Sequence, residues 1–410
     1  MTEQLKSWQL TLTPVDSWYF RESRPHGAAG GDRLESLFPP PVKTLAGAIR
    51  TRLGECLNVD WQAFRRGEAV WGDISLNTLL GDSDSTGSLR FGPVQVIVSN
   101  MPLYSWPALL MEKTLAGSSG TSYRYARLKP GSEVHCDLGR VALPELERPG
   151  QKKDGLDMSG GKISEKDYVT GPLLEQLLNG DTPGAEIAEQ GVVRQKALFE
   201  LEPRLGIARN QATATVEEGM LYQTSHLRLQ EAVSITLSLT GLPESIADQL
   251  QQDIQQSPLI RLGAEGRMAA ITMTPLEQPL PLIAPTPKGD EQGFMIMLLS
   301  EGDFGDISQS PLPGFDPMET EQGQTVWHGQ LNGMAAELHT VMAGKPVRRG
   351  GWDLKKGRPA AMKSYVPAGS CYFLKPLGGA SVADALGLHG QAIGRQTDWG
   401  YGRIVCGLWR

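Results

Sequence analysis

The six histidines are the first residues that could do acid–base chemistry, and no two of them lie at helical or metal-ligand spacing. His26 differs from the others because it lies in a stretch rich in arginine and glycine. There its imidazole could act as a general base on a 2′-hydroxyl of RNA. An exposed loop histidine without a catalytic role is the simpler interpretation, and the sequence favours it. The others are His135, His226, His328, His339 and His389.

Motifs for metal and nucleotide chemistry match poorly. GGDR at Gly30–Arg33 has one carboxylate followed by arginine, whereas two-metal chemistry needs adjacent carboxylates that hold ions about 3.5–4 Å apart. DSDSTGS at Asp82–Ser88 begins like a calcium loop, but Pro93 occupies the position of the bidentate glutamate. The patterns GxxxxGK[ST], HExxH and GxSxG are absent. We therefore predict no catalytic residue, no metal and no cofactor.

Arginines gather around two glycine-rich stretches. Tyr19–Arg52 has six basic residues against three acidic ones, and the C-terminal GRQTDWGYGRIVCGLWR places glycines among Arg395, Trp399, Tyr401 and Arg403. Arginines neutralise phosphates, glycines let the backbone approach them, and aromatic rings stack on bases. A glycine-rich turn entering a last strand, with its aromatic rings in the core, explains the C-terminal pattern equally well.

Composition limits the function classes. The net charge of -7 argues against a sequence-blind nucleic-acid binder, because such proteins are usually basic, but it allows one basic face. No apolar run approaches the ~20 residues that span a bilayer. The N-terminus lacks a signal pattern. The cysteines Cys56, Cys136, Cys371 and Cys406 are too scattered for a CxxC site or a disulfide framework, so we expect a cytoplasmic protein.

Strands and amphipathic helices would position these residues. Trp8–Asp16 alternates as a strand does, and prolines at 39–41 precede a helix with an apolar residue at every fourth position. Later, His226–Leu242 predicts a strand, Pro243–Gln256 a helix and Leu259–Met273 a hairpin. This order is typical of the front of a ferredoxin-like βαββαβ unit.

Two further segments have unusual charge, and a third lacks apolar residues. Asp290–Glu321 has eight acidic and no basic residues, whereas Lys345–Lys363 has seven basic residues against Asp353. One acidic and one basic surface would fit a subunit of an assembly, although two solvated loops are the plainer alternative. Gly150–Gly171 is rich in turn formers and predicts an inserted loop.

Several blocks, in chain order, together resemble one protein family. They are FRESRP, FPPPVKTLAGAIRTR, EPRLGIARNQATATVEEGMLYQTSHLRL, GAEGRMAAI, PVRRGGWDLKKGRP and VPAGSCYFLKP. The family is the third-named Cmr subunit, the RAMP-superfamily protein that grips the crRNA in type III-B CRISPR complexes. GYGR at Gly400–Arg403 resembles the RAMP glycine loop.

The resemblance implies an α+β fold of two packed ferredoxin-like (RRM-like) βαββαβ units with long inserted loops. We expect the N-terminal unit over residues 1–215, with an inserted loop near 150–171. The C-terminal unit would cover 216–410 and end in the glycine-rich loop and last strand.

The resemblance also implies a non-catalytic, cytoplasmic, RNA-binding subunit. Its partners would be the crRNA five-prime handle, the large polymerase-like Cas subunit and a RAMP backbone subunit. A RAMP endoribonuclease that processes precursor crRNA, with His26 as general base, is the alternative. The implied RNA-binding residues are Arg21, Arg24, Arg50, Arg204, Arg209, Arg348, Arg349, Trp352, Gly400, Gly402 and Arg403.

Overall fold

The computed structural model describes residues 6–21, 33–117, 120–136, 139–147, 157–209, 212–213, 215–277, 280–308, 310–320, 325–353 and 358–410. Strands predominate over helices, so the chain is an α+β protein, as expected. The α-helices described are α1 Val42–Cys56, α2 Trp61–Arg66, α3 Leu76–Leu80, α4 Gly171–Leu178, α5 Ala185–Gly191, α6 Glu244–Gln256 and α7 Val382–Leu386. Within these ranges no helix has the length and apolar character to span a membrane.

Most of the strands are short. The first group contains β1 Trp8–Pro14, β2 Arg33–Leu34, β3 Val70–Trp71, β4 Ile74–Ser75, β5 Arg90–Phe91, β6 Gln95–Val98, β7 Met101–Ser105, β8 Leu110–Gly117, β9 Gly120–Cys136, β10 Gly139–Leu146, β11 Tyr168–Thr170 and β12 Val192–Val193. The second contains β13 Phe199–Arg209, β14 Val216–Leu229, β15 Val233–Thr240, β16 Leu259–Arg261, β17 Met268–Pro275, β18 Gly293–Leu298, β19 Phe315–Glu319, β20 Thr325–Leu331, β21 Met334–Met342, β22 Val347–Arg349, β23 Trp352–Asp353, β24 Arg358–Pro359, β25 Lys363–Tyr365, β26 Cys371–Pro376 and β27 Ile404–Trp409.

The first sheet has nine strands in the order β12-β11-β7-β6-β15-β1-β17-β16, with β5 paired to β15. Strand β1 alternates as its sequence predicts, because its even-numbered residues from Trp8 to Leu12 are buried. Helix α1 begins directly after Pro41, as predicted, and its buried side chains share a core with β1. Apolar residues at intervals of four form that face, and they include Leu45, Ile49 and Leu53.

Distant parts of the chain meet in the middle of this sheet. Strand β1 pairs antiparallel with both β15 and β17, and β15 pairs antiparallel with β6. Strands from both sides of the expected boundary between residues 215 and 216 therefore lie in one sheet. Strand β15, helix α6 and the hairpin of β16 and β17 are present within the expected range His226–Met273, although His226–Leu229 ends the preceding strand β14. Both β15 and β17 pair with the distant strand β1. Local periodicity does not report which distant strands pair.

The second sheet has six strands in the order β19-β20-β21-β26-β18-β27. Every residue of β18 and β27 is buried, so both faces of these strands are covered. The even-numbered residues of β18 from Phe294 to Leu298 pack in a core with α7, whereas Met295 and Met297 pack with the leucines of α4. A continuous apolar run is typical of strands that are buried on both faces.

Hairpins extend from the two sheets. Strands β13 and β14 pair from Phe199↔Leu229 to Arg209↔Val216, and β9 pairs with both β8 and β10. Strands β22 and β25 form another hairpin, which β23 and β24 continue. Of the loop expected near 150–171, residues 150–156 lie outside the described residues, and Tyr168–Thr170 forms strand β11 of the first sheet.

Candidate nucleic-acid interface

Helix α1 meets the C-terminal glycine loop at what we call the junction, which consists of Lys43, Arg50 and the loop Gly394–Arg403. The Lys43 Nζ atom lies 5.0 Å from the centre of the Trp399 ring, and the Arg50 Cζ atom lies 5.5 Å from it. The two cations are seven residues apart, so they project from the same side of the helix. Both contacts are within the range of cation–π attraction, which fixes the loop to the helix.

Burial at the junction changes the protonation equilibria of these cations. It lowers the pKa of Lys43, and the nearby positive charge of Lys363 lowers it further, while Asp84 and Asp303 oppose the effect. Burial also lowers the pKa of Arg50, which nevertheless keeps its charge at neutral pH. The Arg50 Nη1 atom donates a hydrogen bond of 2.9 Å to the carbonyl of Asp82. Arg50 therefore serves to hold the junction together.

The loop glycines are required by packing within the protein. Gly400 has φ +89° and Gly402 has φ +69°, which L residues rarely adopt. A Cβ atom on Gly400 would lie 2.2 Å from the carbonyl oxygen of Gly92, and one on Gly402 would lie 1.9 Å from that of Ile393. Close approach of the protein's own backbone therefore requires glycine at both positions.

The aromatic rings of the loop belong to the core. Trp399 is 4% exposed and Tyr401 is 3% exposed. Trp399 lies against Phe91 with the ring centres 6.5 Å apart, and Tyr401 stacks on Tyr365 at 4.8 Å. These two rings are not available to stack on bases. Of the two interpretations of the C-terminal pattern, the turn with its aromatic rings in the core describes the structure.

Arg403 and Arg349 connect the loop to neighbouring segments of the chain. The Arg403 Nη1 atom donates to the Gly390 carbonyl, and burial lowers the Arg403 pKa. Arg349 makes a bidentate ion pair with Glu301, whose carbonyl accepts the Gly402 N–H at 2.9 Å. Side-chain exposures of 16% and 21% show that this pair is largely shielded from water. The structure therefore brings together Arg50, Arg349, Gly400, Gly402 and Arg403, mainly in packing contacts.

Exposed cations surround the junction. Arg348, Lys363 and Arg395 are exposed, and within the described residues their side chains make no hydrogen bond or ion pair. Strand pairing places Arg348 opposite Ser364 and Arg349 opposite Lys363. The backbone N–H of Arg395 donates to the Asp303 carbonyl at 2.9 Å, which fixes the residue at the loop's start.

Lys43, Lys363 and Arg395 were not predicted as site residues. The position of Lys43 off the apolar face of α1 was visible in the sequence. Only the fold shows that this position faces the C-terminal loop.

Arg204 lies apart from the junction, in an ion-pair network at the base of β13 and β14. It pairs with Glu202 and Asp16, which also accept hydrogen bonds from Arg228. These arginines, Arg228 first, hold the pKa of both carboxyls below their usual range. Arg204 is therefore held by an ion pair with Glu202 within the protein.

The remaining predicted residues are only partly described. Arg21 is exposed, and its backbone bridges to Ser36. Arg24 and His26 lie outside the described residues. The backbone of Arg209 pairs with Val216 near the end of β13, and that of Trp352 pairs with Pro359.

Within the described residues, no group of His, Cys, Asp or Glu side chains could hold a metal ion. The expectation that the two glycine-rich loops line one groove stays a prediction.

A strand-rich α+β fold, with exposed cations around one junction of an acidic chain, defines a candidate nucleic-acid-binding protein. The family model described as CRISPR-associated protein (Cas_Cmr3) matches residues 10–409, and the chain belongs to this family. The family match confirms the resemblance of the sequence blocks to the third-named Cmr subunit. No match was found among curated proteins.

Solved structures show more remote similarity. A chain in a cryo-EM structure of the type III-B Cmr-beta complex, bound to cognate target RNA and AMPPnP, matches with 15% identity and a TM-score of 0.44, covering 89% of this chain and 86% of that one. A chain of the Csm3-Csm4 subcomplex of the type III-A interference complex matches with 10% identity and a TM-score of 0.39, covering 90% and 94%. Both scores are below 0.5, so the family match carries the classification.

Proposed function

We propose that this protein is a non-catalytic, RNA-binding subunit of a type III-B CRISPR (Cmr) ribonucleoprotein. It holds the five-prime handle of the crRNA and bridges the large polymerase-like subunit to the RAMP backbone. The observation that carries the proposal is the group of exposed cations Arg348, Lys363 and Arg395 around the junction of a chain with net charge -7. Membership of a CRISPR-associated family supplies the class of RNA.

One basic surface is sufficient for this ligand. A short single strand is bound through its phosphates and through bases that stack or form hydrogen bonds. The remaining surface can stay acidic and contact protein partners. The net charge also weakens non-specific binding to other RNA, because the general electrostatic term is unfavourable outside the basic surface.

The predicted RNA-binding residues separate into two roles in this proposal. Arg348, together with Lys43, Lys363 and Arg395, faces phosphate, and we add Arg21 and Arg24 from the first glycine-rich stretch. Arg209 and Trp352 lie on hairpins and stay candidates for direct contact. The others position the surface through packing or ion pairs, and they are Arg50, Arg204, Arg349, Gly400, Gly402 and Arg403.

We also propose that the two sheets are two ferredoxin-like units, over Trp8–Pro275 and Gly293–Trp409. The strands β6-β15-β1-β17 and β21-β26-β18-β27 support this, because each set follows the same order relative to the chain, second-third-first-fourth. In the first unit α1 and α6 lie on the two crossovers. In the second, α7 lies on one, and β19 and β20 lie on the other, where no helix is described.

Co-purification followed by RNA sequencing tests the proposal. A tagged copy should retain crRNAs that share one handle at the five-prime end, together with other Cmr subunits. Retention of no crRNA would contradict it.

Incubation with labelled precursor RNA in the absence of metal distinguishes the proposed function from the alternative, an endoribonuclease with His26 as general base. We expect no cleavage. Cleavage at the handle boundary that is lost in His26→Ala would establish the nuclease instead.

A further inference from the structure

The first sheet has two faces with different environments. One face carries the apolar residues that pack on α1 and α6. The opposite face of the sheet contains the residues that alternate with these apolar residues along each strand. Strand register identifies its members, because directly paired residues share a face. On the four central strands this face, the neutral face, consists of Gln9, Thr11, Thr13, Gln95, Ile97, Ser234, Thr236, Ser238, Ala270, Thr272 and Thr274.

No member of the neutral face is charged, although 21% of the chain is charged. All of its members reach solvent except Thr236. Exposed strand positions of soluble proteins usually carry charged side chains, which keep the surface hydrated and discourage association. Ten neighbouring positions that reach solvent, two of them exposed and eight half-buried, carry no charge, and this favours a role in contact with another molecule.

The chain borders this face without filling it. Pro93, Asn100, Pro102, Leu276 and Pro281 stand at its sides, and they enclose a cleft of about 360 Å³. The second sheet differs, because the residues of its central strand β18 are buried on both faces. Within the described residues, the cleft on the first sheet leaves room for another molecule.

Electrostatics selects the class of molecule. A nucleic acid would bring phosphates to a face whose four central strands carry no cation, with Arg261 of β16 at its edge. A charged protein surface would lose hydration without gaining an ion pair, which is costly on burial. An uncharged protein surface meets neither penalty. Short hydroxyl side chains can donate and accept hydrogen bonds across such an interface, and they lose less side-chain entropy than lysine or arginine.

We propose that the neutral face docks an uncharged protein surface of a neighbouring subunit in the assembly. This inference rests on the proposed function, which supplies the assembly. It assigns a protein contact to a face that is uncharged, unlike the basic junction. The chain therefore has two functional surfaces, a cationic one for RNA and an uncharged one for protein.

Charge insertion tests the inference in the reconstituted complex. Thr11→Glu/Thr272→Glu and Thr11→Lys/Thr272→Lys place either sign of charge on the face, and Thr11→Ser/Thr272→Ser keeps it neutral with its hydroxyls in place. Thr51→Glu adds a charge on exposed α1 as the matched control. We expect both charged doubles to weaken incorporation of a neighbouring subunit by about tenfold or more, because one buried unpaired charge has an effect of that order. The neutral double and the control should assemble like wild type.

RNA binding by the isolated variants separates the two proposals. All variants should bind crRNA like wild type, with unchanged thermal unfolding midpoints. If the charged doubles assemble like wild type, the inference is overturned. It is also overturned if only the glutamate double is impaired and its defect lies in crRNA affinity, because the face would then bind RNA. A wild-type homodimer that the charged doubles dissociate would assign the face to a second copy instead. If the wild-type protein does not bind crRNA, the proposed function is contradicted. The measurement of subunit incorporation still tests the docking inference in that case.

Discussion

Gly402→Ala should destabilise the protein by more than backbone strain alone. Gly402 has φ +69°, and an alanine in this region costs about 1–2 kcal/mol. Its Cβ atom would also lie 1.9 Å from the Ile393 carbonyl oxygen, a contact that forces the backbone to move. Overpacking of this kind costs about 1–3 kcal/mol more. We expect a total loss of about 2–5 kcal/mol in the free energy of unfolding, from these two terms.

Gly266→Ala is the matched control. Gly266 has φ +68°, but a Cβ atom there would have no neighbour within 4 Å. Its cost should therefore be the strain term alone, about 1–2 kcal/mol. Urea titration of wild type and both variants gives the two losses, and their difference measures the close approach of the loop to Ile393. Equal losses for the two variants would refute the packing role of the loop glycine.

Two other predictions concern ion pairing and pH. Arg349→Ala should lower the free energy of unfolding by about 1–2 kcal/mol, because Glu301 stays shielded without its partner. The double variant Arg349→Ala/Glu301→Gln should recover part of this loss. If the losses of the two single variants simply add in the double variant, the pairing is contradicted. Burial lowers the pKa of His389, whose Nε2 atom lies 3.1 Å from the Leu282 carbonyl and whose Nδ1 atom accepts from the Cys406 N–H. The unfolded chain then binds the proton more tightly, so this contribution to stability is complete above about pH 6.5 and is lost as pH falls below it. Urea unfolding at pH 7.5 and pH 5.5 should show a smaller pH dependence for His389→Asn than for wild type, and an equal dependence would contradict this assignment.

The local elements of the fold were predictable because their periodicity is local. Strand β1, helix α1 and the hairpin of β16 and β17 were all expected from alternation, four-residue spacing and turn residues. The pairing of β1 with β15 and β17 was not expected, because it joins residues more than 200 positions apart. The expected boundary between residues 215 and 216 was drawn without that pairing, and it stays a prediction.

The candidate site was predictable in composition but not in geometry. The sequence singled out the glycine loop and its arginines, and the structure places several of them at one junction. Glycine and arginine serve packing as readily as they serve phosphate binding, and the sequence alone does not separate the two uses. The contact between the Trp399 ring and the cations of α1 reveals the packing use, and it exists only in the folded chain.

Salt dependence of crRNA binding tests the central claim most directly. Arg348→Ala, Lys363→Ala and Arg395→Ala should each reduce the slope of log affinity against log salt by about 0.7, and the triple variant by about 2, since each loses one phosphate contact on single-stranded RNA. Arg66→Ala is the matched control. Arg66 is an exposed arginine at the end of α2, and it pairs with Glu68, which follows the helix. We expect the control to keep the wild-type slope, and handle changes to affect affinity more than spacer changes. Wild-type slopes in all the cation variants, or sensitivity that follows the spacer, would contradict handle binding at the junction.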